Sequence, residues 1–180
     1  AKSILAFPDE NLVRLFKKTY GEKREISCLD IGCGTGRHLH FLASENVMDV
    51  VGVDLSLNAC MQSQKNWEVQ TVNSDILHLS FKNNSFDCII AWGSLHYNPK
   101  KDLSGMISEI VRVLKPGGSL FATLRSSEDT YLKTGEHLGN DEWITNLEDL
   151  EGSFTSFYSQ SEIDGLKQYF ADFKYGKIWD

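Results

Sequence analysis

The chain has 180 residues, with 18 Lys and Arg against 25 Asp and Glu, which gives a formal net charge of −7 at pH 7. This length suits one domain with a sizeable core, and 41% hydrophobic with 24% charged residues is ordinary for a globular protein. The negative charge argues against a nucleic-acid partner, because sequence-independent binding needs Lys and Arg to displace counterions. No apolar run approaches the ~20 residues that span a bilayer, so no membrane partner is expected.

The N-terminus and the cysteines both favour an intracellular setting. The apolar part of residues 1–8 is too short for a secretory signal. The four cysteines form no CxxC pair and have no His at zinc-type spacing, so no metal site is predicted; they are Cys28, Cys33, Cys60 and Cys88. A reducing, cytoplasmic location is therefore expected.

Short apolar segments alternate with amphipathic ones along most of the chain. An amphipathic helix is predicted over 9–20, with Asp9 as its cap. Strands are predicted near 25–31, 49–54, 70–74, 86–92 and 119–125, and helices near 37–45, 57–67 and 101–115. This alternation predicts right-handed crossovers and an α/β fold, with a doubly wound, mostly parallel sheet and helices on both faces.

A glycine-rich run, LDIGCGTG over 29–36, directly follows the first predicted strand and precedes a predicted helix. A strand, a glycine turn and a helix together place a nucleotide-like ligand at the N-terminus of the helix. Glycine permits positive φ and lets the backbone touch a ligand. The GxGxG spacing does not by itself name the ligand, and a tight connection without a ligand is the alternative.

Acidic residues stand at the carboxyl ends of the second and third predicted strands. Asp54 ends the run VVGVD about 20 positions after the glycines, where a carboxylate can accept both hydroxyls of a ribose. The alternative role of Asp54 is a helix cap, although Ser56 is better placed for that. Asp75 could accept a hydrogen bond from an exocyclic amine beside the backbone of Ile76, or be an ordinary polar loop residue.

A fourth buried strand is predicted in FDCIIAWG over 86–93, and a fifth follows the segment LKPGG over 114–118. Pro116 is expected to stop a helix, and the two glycines after it are expected to form a sharp turn. The carboxyl ends of these strands meet at one edge of the sheet, where such folds bind their ligands.

In this combination the sequence resembles the class I S-adenosylmethionine-dependent methyltransferases. The matching segments are LDIGCGTG, the acidic end of VGVDLS, NSDI, FDCIIAWGSLH and LKPGG, in this order, and they cover roughly residues 25–125. The resemblance implies S-adenosylmethionine as cofactor and S-adenosylhomocysteine as product. It also implies a methyl acceptor, expected to be a small molecule that accepts through O or N rather than C or S.

The same resemblance implies roles for individual residues. The glycine loop, which includes Cys33, would admit the methionine part of the cofactor at Gly32, Gly34 and Gly36, with Asp30 at its amino end. Asp54 would hold the ribose, Leu55 beside it would also contact the cofactor, and Asp75 and Ile76 would flank the adenine. Ala91 and Trp92 would lie near the sulfonium.

A general base is needed only for some acceptors, and His96 is the candidate because it follows the fourth strand. The alternative is that His96 and Tyr97 only shape the wall of the pocket. His38 and His40, after the glycine loop, are expected to be surface or packing residues.

The last third of the chain reads differently. Residues 126–158 are acidic and loop-like, and we expect them to form a lid or substrate insertion within a single domain over 1–180. A helix capped by Ser161 is predicted over 159–170 and a strand over 173–179. The family adds a seventh strand after this point, so either the sequence is cut short here or the last strand of the sheet is absent.

Proteins of two other functional classes can have the same sequence features. A nicotinamide-dependent oxidoreductase also has the strand, the glycine turn and the distal acidic residue, but the GxGxG spacing and LKPGG disfavour it. A non-catalytic subunit that binds the cofactor and assists a partner is the second. The sequence leaves the acceptor and the oligomeric state open.

Overall fold

The computed structural model of the protein describes residues 7–178. Two predictions fall partly outside that range. They concern a secretory signal in residues 1–8, which the sequence disfavours, and the last residue of the strand predicted over 173–179. Within residues 7–178, no helix is both long enough and apolar enough to cross a membrane.

A five-stranded parallel sheet forms the centre of the fold. Its strands are β1 (Ser27–Ile31), β2 (Asp49–Asp54), β3 (Gln70–Asn73), β4 (Phe86–Ala91) and β5 (Leu114–Ala122). Their order is β3-β2-β1-β4-β5, and every neighbouring pair is parallel. The chain winds outward from β1 to β3 and then returns to the other side of β1. This confirms the doubly wound fold and places its switch point between β1 and β4.

Helices cover both faces of this sheet. They are α1 (Glu10–Tyr20), α2 (Arg37–Ser44), α3 (Leu57–Trp67) and α4 (Leu103–Val113). The Asp9 carboxylate accepts from the Asn11 amide at 2.8 Å, and the Ser56 hydroxyl accepts from the Ala59 amide at 3.3 Å, so both begin their helices as the sequence predicts.

Alternate residues of the central strands enter two different cores. Cys28 and Ile90 face α1 and α2, where they pack with Phe16 and Leu42. Their neighbours along the same two strands point to the other face, toward α4, and pack with Met106 and Ile110. These neighbours are Leu29 in β1 and Ile89 and Ala91 in β4. Strands buried on both faces explain the continuous apolar runs of the sequence.

Strand β5 begins earlier than predicted, at Leu114 rather than at 119. Leu114 pairs with Phe86 and Ser119 pairs with Cys88, so the segment between them bulges out of the ladder. Pro116 cannot donate to a ladder and Gly117 adopts φ 79°, which makes both residues suited to a bulge. LKPGG is therefore an irregular start of the strand rather than a turn before it.

The loop-like reading of 126–158 is wrong, because this region builds a second sheet. Its strands are β6 (Arg125–Ser126), β7 (Gly135–Gly139), β8 (Glu142–Thr145) and β9 (Phe154–Tyr158), in the order β6-β9-β8-β7. Strands β7 and β8 form a hairpin whose two loop residues, Asn140 and Asp141, have φ of 51° and 58°. A two-residue turn with both φ positive matches the twist of a hairpin, and Asn and Asp tolerate it.

The C-terminal part also differs from the prediction. Helix α5 (Gln160–Gly165) is capped by Ser159, not Ser161, and a 3₁₀ turn continues it over Leu166–Tyr169. Ser159 and Glu162 form a reciprocal capping box, which fixes the start of the helix. Residues 173–178 form no strand, so that prediction is wrong for the part of it that the structure describes.

Candidate functional site

A cavity of about 300 Å³ opens at the carboxyl ends of the first four strands. Gly32 follows β1, Asp54 ends β2, Asp75 follows β3 and Ser94 follows β4, and all four line it. A parallel doubly wound sheet binds its ligands in this crevice. The structure thus brings together residues that lie more than 60 positions apart in the chain.

The three glycines of the loop have different neighbours, although all three adopt positive φ. A Cβ on Gly32 would lie 2.4 Å from the Ser94 Cβ, and one on Gly36 would lie 2.2 Å from the Ser63 Oγ of α3. A Cβ on Gly34 would meet nothing within 4 Å. Gly32 and Gly36 therefore permit close packing within the protein, whereas Gly34 leaves backbone open to space.

Asp54 ties the glycine loop to the end of β2. One carboxylate oxygen accepts from the Gly34 amide at 2.9 Å, and the other accepts from the Ser56 amide at 2.8 Å. A carboxylate oxygen has more than one lone-pair direction, so both oxygens can still accept from a ligand. Asp54 thus shapes the loop and also faces the cavity.

Asp75 and Ile76 form the wall next to β3. The exposed Asp75 carboxylate accepts from the Leu77 amide at 2.9 Å and caps the 3₁₀ turn Ile76–His78. The Ile76 side chain is buried. Leu55, which also lines the cavity, is 73% exposed and offers an apolar surface at the rim.

Asp30 lies behind the glycine loop rather than on the cavity wall. Its carboxylate is 1% exposed, and neither oxygen has a hydrogen-bond partner within the described residues. The nearest basic atom is Nδ1 of the buried His38 on α2, 3.7 Å away. A buried carboxylate without hydrogen bonds is costly, so Asp30 is suited to a cationic or donor group.

Cys33, Ala91 and Trp92 are buried and do not line the cavity. Trp92 packs in the core beneath α1 and α2, and Ala91 packs in the opposite one. Burial first, and then the nearby charges of Asp30 and Asp54, raise the pKa of the Cys33 thiol. A raised pKa favours the thiol over the reactive thiolate at neutral pH.

His96 lies beside the site but not on its wall. It is 3% exposed, and its Nδ1 has no hydrogen-bond partner among the described residues. Burial, followed by the positive charge of Arg125, lowers the pKa of His96 to about 4. The imidazole is therefore neutral at pH 7, and its role as a base stays a prediction.

The sequence analysis gave no role to several polar residues of the wall, among them Ser94 and Asn98. Both belong to the segment that follows β4, and both line the cavity together with Tyr97. The Ser94 hydroxyl is buried without a described partner, whereas the Asn98 amide donates to the Ser94 and Leu95 carbonyls. Their only sequence signal was their position directly after a strand that ends at the switch point.

These features fit a charged sulfur nucleoside. Gly32 brings backbone to the cavity wall, Asp54 and Asp75 offer carboxylate acceptors, and Asp30 offers a buried carboxylate with unused oxygens. The rim at Leu55 is apolar, as the face of a purine requires.

Comparison with known proteins agrees with this reading. A family model described as a methyltransferase domain matches residues 28–118, which is half of the chain. The chain is 31% identical over 106 residues to a sterol 24-C-methyltransferase of Neurospora crassa, covering 55% of this chain and 27% of that protein. It is 31% identical over 144 residues to an uncharacterized protein of Methanocaldococcus jannaschii, covering 78% of this chain and 59% of that protein.

The chain thus spans between about a quarter and three fifths of the length of these curated relatives. Among solved structures, the PH0226 protein from Pyrococcus horikoshii superposes with a TM-score of 0.75 at 22% identity, covering 88% of this chain and 78% of that one. Its likeness concerns the fold. The matched segment, 28–118, contains the glycine loop, Asp54, Asp75 and the strands that carry them. The chain therefore belongs to the methyltransferase domain family, with the class I α/β fold and S-adenosylmethionine as its cofactor.

Proposed function

We propose that this chain transfers a methyl group from S-adenosylmethionine to an O or N atom of a small-molecule acceptor. The observation that carries the proposal is the cavity at the carboxyl ends of β1 to β4, where Asp54 and Asp75 face the space next to the glycine loop. The family of the chain supports the reaction, and the cavity supports the place where it happens.

In this proposal the residues of the chain bind the parts of the cofactor separately. Asp54 accepts from the ribose hydroxyls, and Asp75 accepts from the adenine amine beside Ile76. The open backbone at Gly34 lies against the methionine part, and Asp30 interacts with its amino end through water, because the Asp30 side chain is set back from the wall. Leu55 covers one face of the adenine.

The cofactor supplies a methyl group that its sulfonium already activates. The protein then has to orient the acceptor atom and exclude water, and orientation of this kind can lower a barrier by roughly 7–11 kcal/mol. Tyr97 and Asn98 are neutral, polar residues of the wall on the β4 side, and we assign the acceptor to that side. His96, behind them, remains our proposal for a base where the acceptor must lose a proton.

A small-molecule acceptor is the simplest choice for this chain. Its net charge of −7 disfavours nucleic acid, and the cavity of about 300 Å³ is at the small end of ligand sites. The relative from Neurospora crassa is named for a sterol, which is also a small molecule. Within the proposal, the second sheet covers the acceptor as a lid.

Binding of S-adenosylhomocysteine tests the cofactor site directly. Calorimetric titration should show one site per chain, and Asp54→Ala should weaken binding by about 10-fold to 100-fold, because charge-assisted hydrogen bonds contribute ~1.5–3 kcal/mol each. The matched control is Asp49→Ala, at the opposite end of the same strand, which should leave the affinity unchanged. Equal losses in both variants would contradict the role of Asp54.

The same titration separates the alternatives. Binding of NAD without binding of S-adenosylhomocysteine would overturn the proposal in favour of an oxidoreductase. Tight cofactor binding with no transfer of a labelled methyl group to any component of a metabolite extract would favour a non-catalytic subunit. A single labelled product would identify the acceptor.

A further inference from the structure

The segment that joins β4 to α4 carries part of the cavity wall, and its local hydrogen bonds are those of short turns and of the Asn98 amide. Tyr97 lies in a 3₁₀ turn, Leu95–Tyr97, and a second such turn, Lys100–Asp102, follows. Neither turn begins with a side-chain cap. Short 3₁₀ turns have poor hydrogen-bond geometry, so contacts from elsewhere have to fix this segment.

The second sheet provides such contacts at two points of the backbone. The Ser156 hydroxyl on β9 donates to the Asn98 carbonyl at 2.7 Å. The Glu142 carboxylate on β8 accepts from the Lys100 amide at 2.8 Å. The partners are 58 and 42 residues apart in the chain, so these bonds exist only in the folded state.

The Lys100 side chain makes a third contact with the same region. Its ammonium lies 2.7 Å from the Glu162 carboxylate and 5.4 Å from the centre of the Tyr158 ring, and the side chain is only 9% exposed. Burial raises the pKa of Glu162, but hydrogen bonds from Lys100 and from Ser159 outweigh it, so that the pKa is lowered overall. The Lys100 side chain is nearly buried, whereas the Glu162 side chain is 40% exposed, so loss of Glu162 would leave a nearly buried ammonium without its carboxylate partner.

We propose that Lys100 is a positioning residue, which fixes Tyr97 and Asn98 on the cavity wall by anchoring the segment 95–100 to the second sheet and to Glu162. The second sheet then also supports the β4 side of the cavity, and because Tyr97 and Asn98 line the same space as Asp54 and Asp75, loosening them weakens cofactor binding too. The link to ligand binding rests on the function proposed above, whereas the anchoring of the segment does not.

Two measurements on the full chain test the role of Lys100. In Lys100→Met, amide hydrogen exchange over residues 95–98 should become about 10-fold faster, and the Kd for S-adenosylhomocysteine should rise about 5-fold, within the range of couplings carried by packed networks. Lys100→Arg keeps the charge and should restore both values to within about 2-fold of the original protein, since Arg also pairs with carboxylates.

The control is Lys174→Met, which removes an exposed ion pair with Asp172 and should change neither value. Glu162→Gln removes the charge of the other partner and should also speed exchange over 95–98. If Lys100→Met does not fold, Glu162→Gln serves as the test in its place. Unchanged exchange over 95–98 in a folded Lys100→Met or Glu162→Gln protein would overturn the proposal. Absence of S-adenosylhomocysteine binding in the original protein would instead contradict the proposed function, and the exchange rates would still decide the anchoring.

Discussion

At the scale of single residues, the glycines of the loop serve two different purposes, which are space for a ligand and close packing between helices. Gly34 has open space where a Cβ would be and donates its amide to Asp54, whereas Gly36 lets α2 begin in contact with Ser63 and Trp67 of α3. Trp67 also donates from its indole to the Thr35 carbonyl at 2.8 Å, which secures the loop from the same side. The motif therefore depends as much on helix packing as on the ligand.

This difference predicts unequal effects of alanine at the two glycines. Gly36→Ala should lower the free energy of unfolding by about 3 kcal/mol, because a Cβ would lie 2.2 Å from the Ser63 Oγ and 2.7 Å from the Trp67 ring. Gly34→Ala should cost only about 1 kcal/mol, the penalty of positive φ alone. Urea unfolding measures both. Ser63→Ala should partly restore Gly36→Ala, and equal losses at the two glycines would contradict the packing role of Gly36.

His96 predicts a specific sensitivity to acid. Its pKa is lowered from 6.5 to about 4 in the folded protein, so the unfolded chain takes up the proton first as the pH falls. The contribution of neutral His96 is complete above pH 6.5 and is lost as the pH falls toward 4, with a loss of roughly 2 kcal/mol by pH 5.

Urea unfolding at pH 7 and pH 5 measures this loss. His96→Gln cannot take up the proton and should lose less stability between the two pH values than the original protein does. Parallel losses in the two proteins would show that His96 does not carry the effect.

At the scale of elements, helix α5 is capped by a different serine from the one that the sequence predicted, Ser159 instead of Ser161. Ser159 accepts from the Glu162 amide, and the Glu162 carboxylate accepts from the Ser159 amide at 2.7 Å. The same carboxylate pairs with Lys100, so the cap of the helix is joined to the segment that connects β4 to α4.

The two serines at this helix start can be compared directly. Ser159→Ala should lower the free energy of unfolding by about 1 kcal/mol, because it removes an N-cap, whereas Ser161→Ala should stay within about 0.5 kcal/mol of the original. Urea unfolding of the two variants measures the difference. A larger loss of stability in Ser161→Ala than in Ser159→Ala would favour Ser161 as the cap, as the sequence alone predicted.

At the scale of the whole molecule, the order of the strands decides which residues meet. The crossovers bring Gly32, Asp54, Asp75 and Ser94 to one edge of the sheet, as the alternation of strands and helices predicts. The two-residue period of a strand also separates neighbours. Asp30 faces α2 whereas Ile31 reaches the cavity, and Trp92 and Ala91 lie in opposite cores.

By itself, the sequence determined the parallel sheet, the helices on its faces and the positions of Asp54 and Asp75, because strand periodicity, glycine turns and N-caps act over a few residues. Only the tertiary structure decided that 126–158 forms a sheet, that Asp30 and Trp92 are set back from the cavity, and that Ser156 and Glu142 bond to the segment after β4. These outcomes depend on contacts between residues far apart in the chain, whose free energy exists only once the whole molecule has folded.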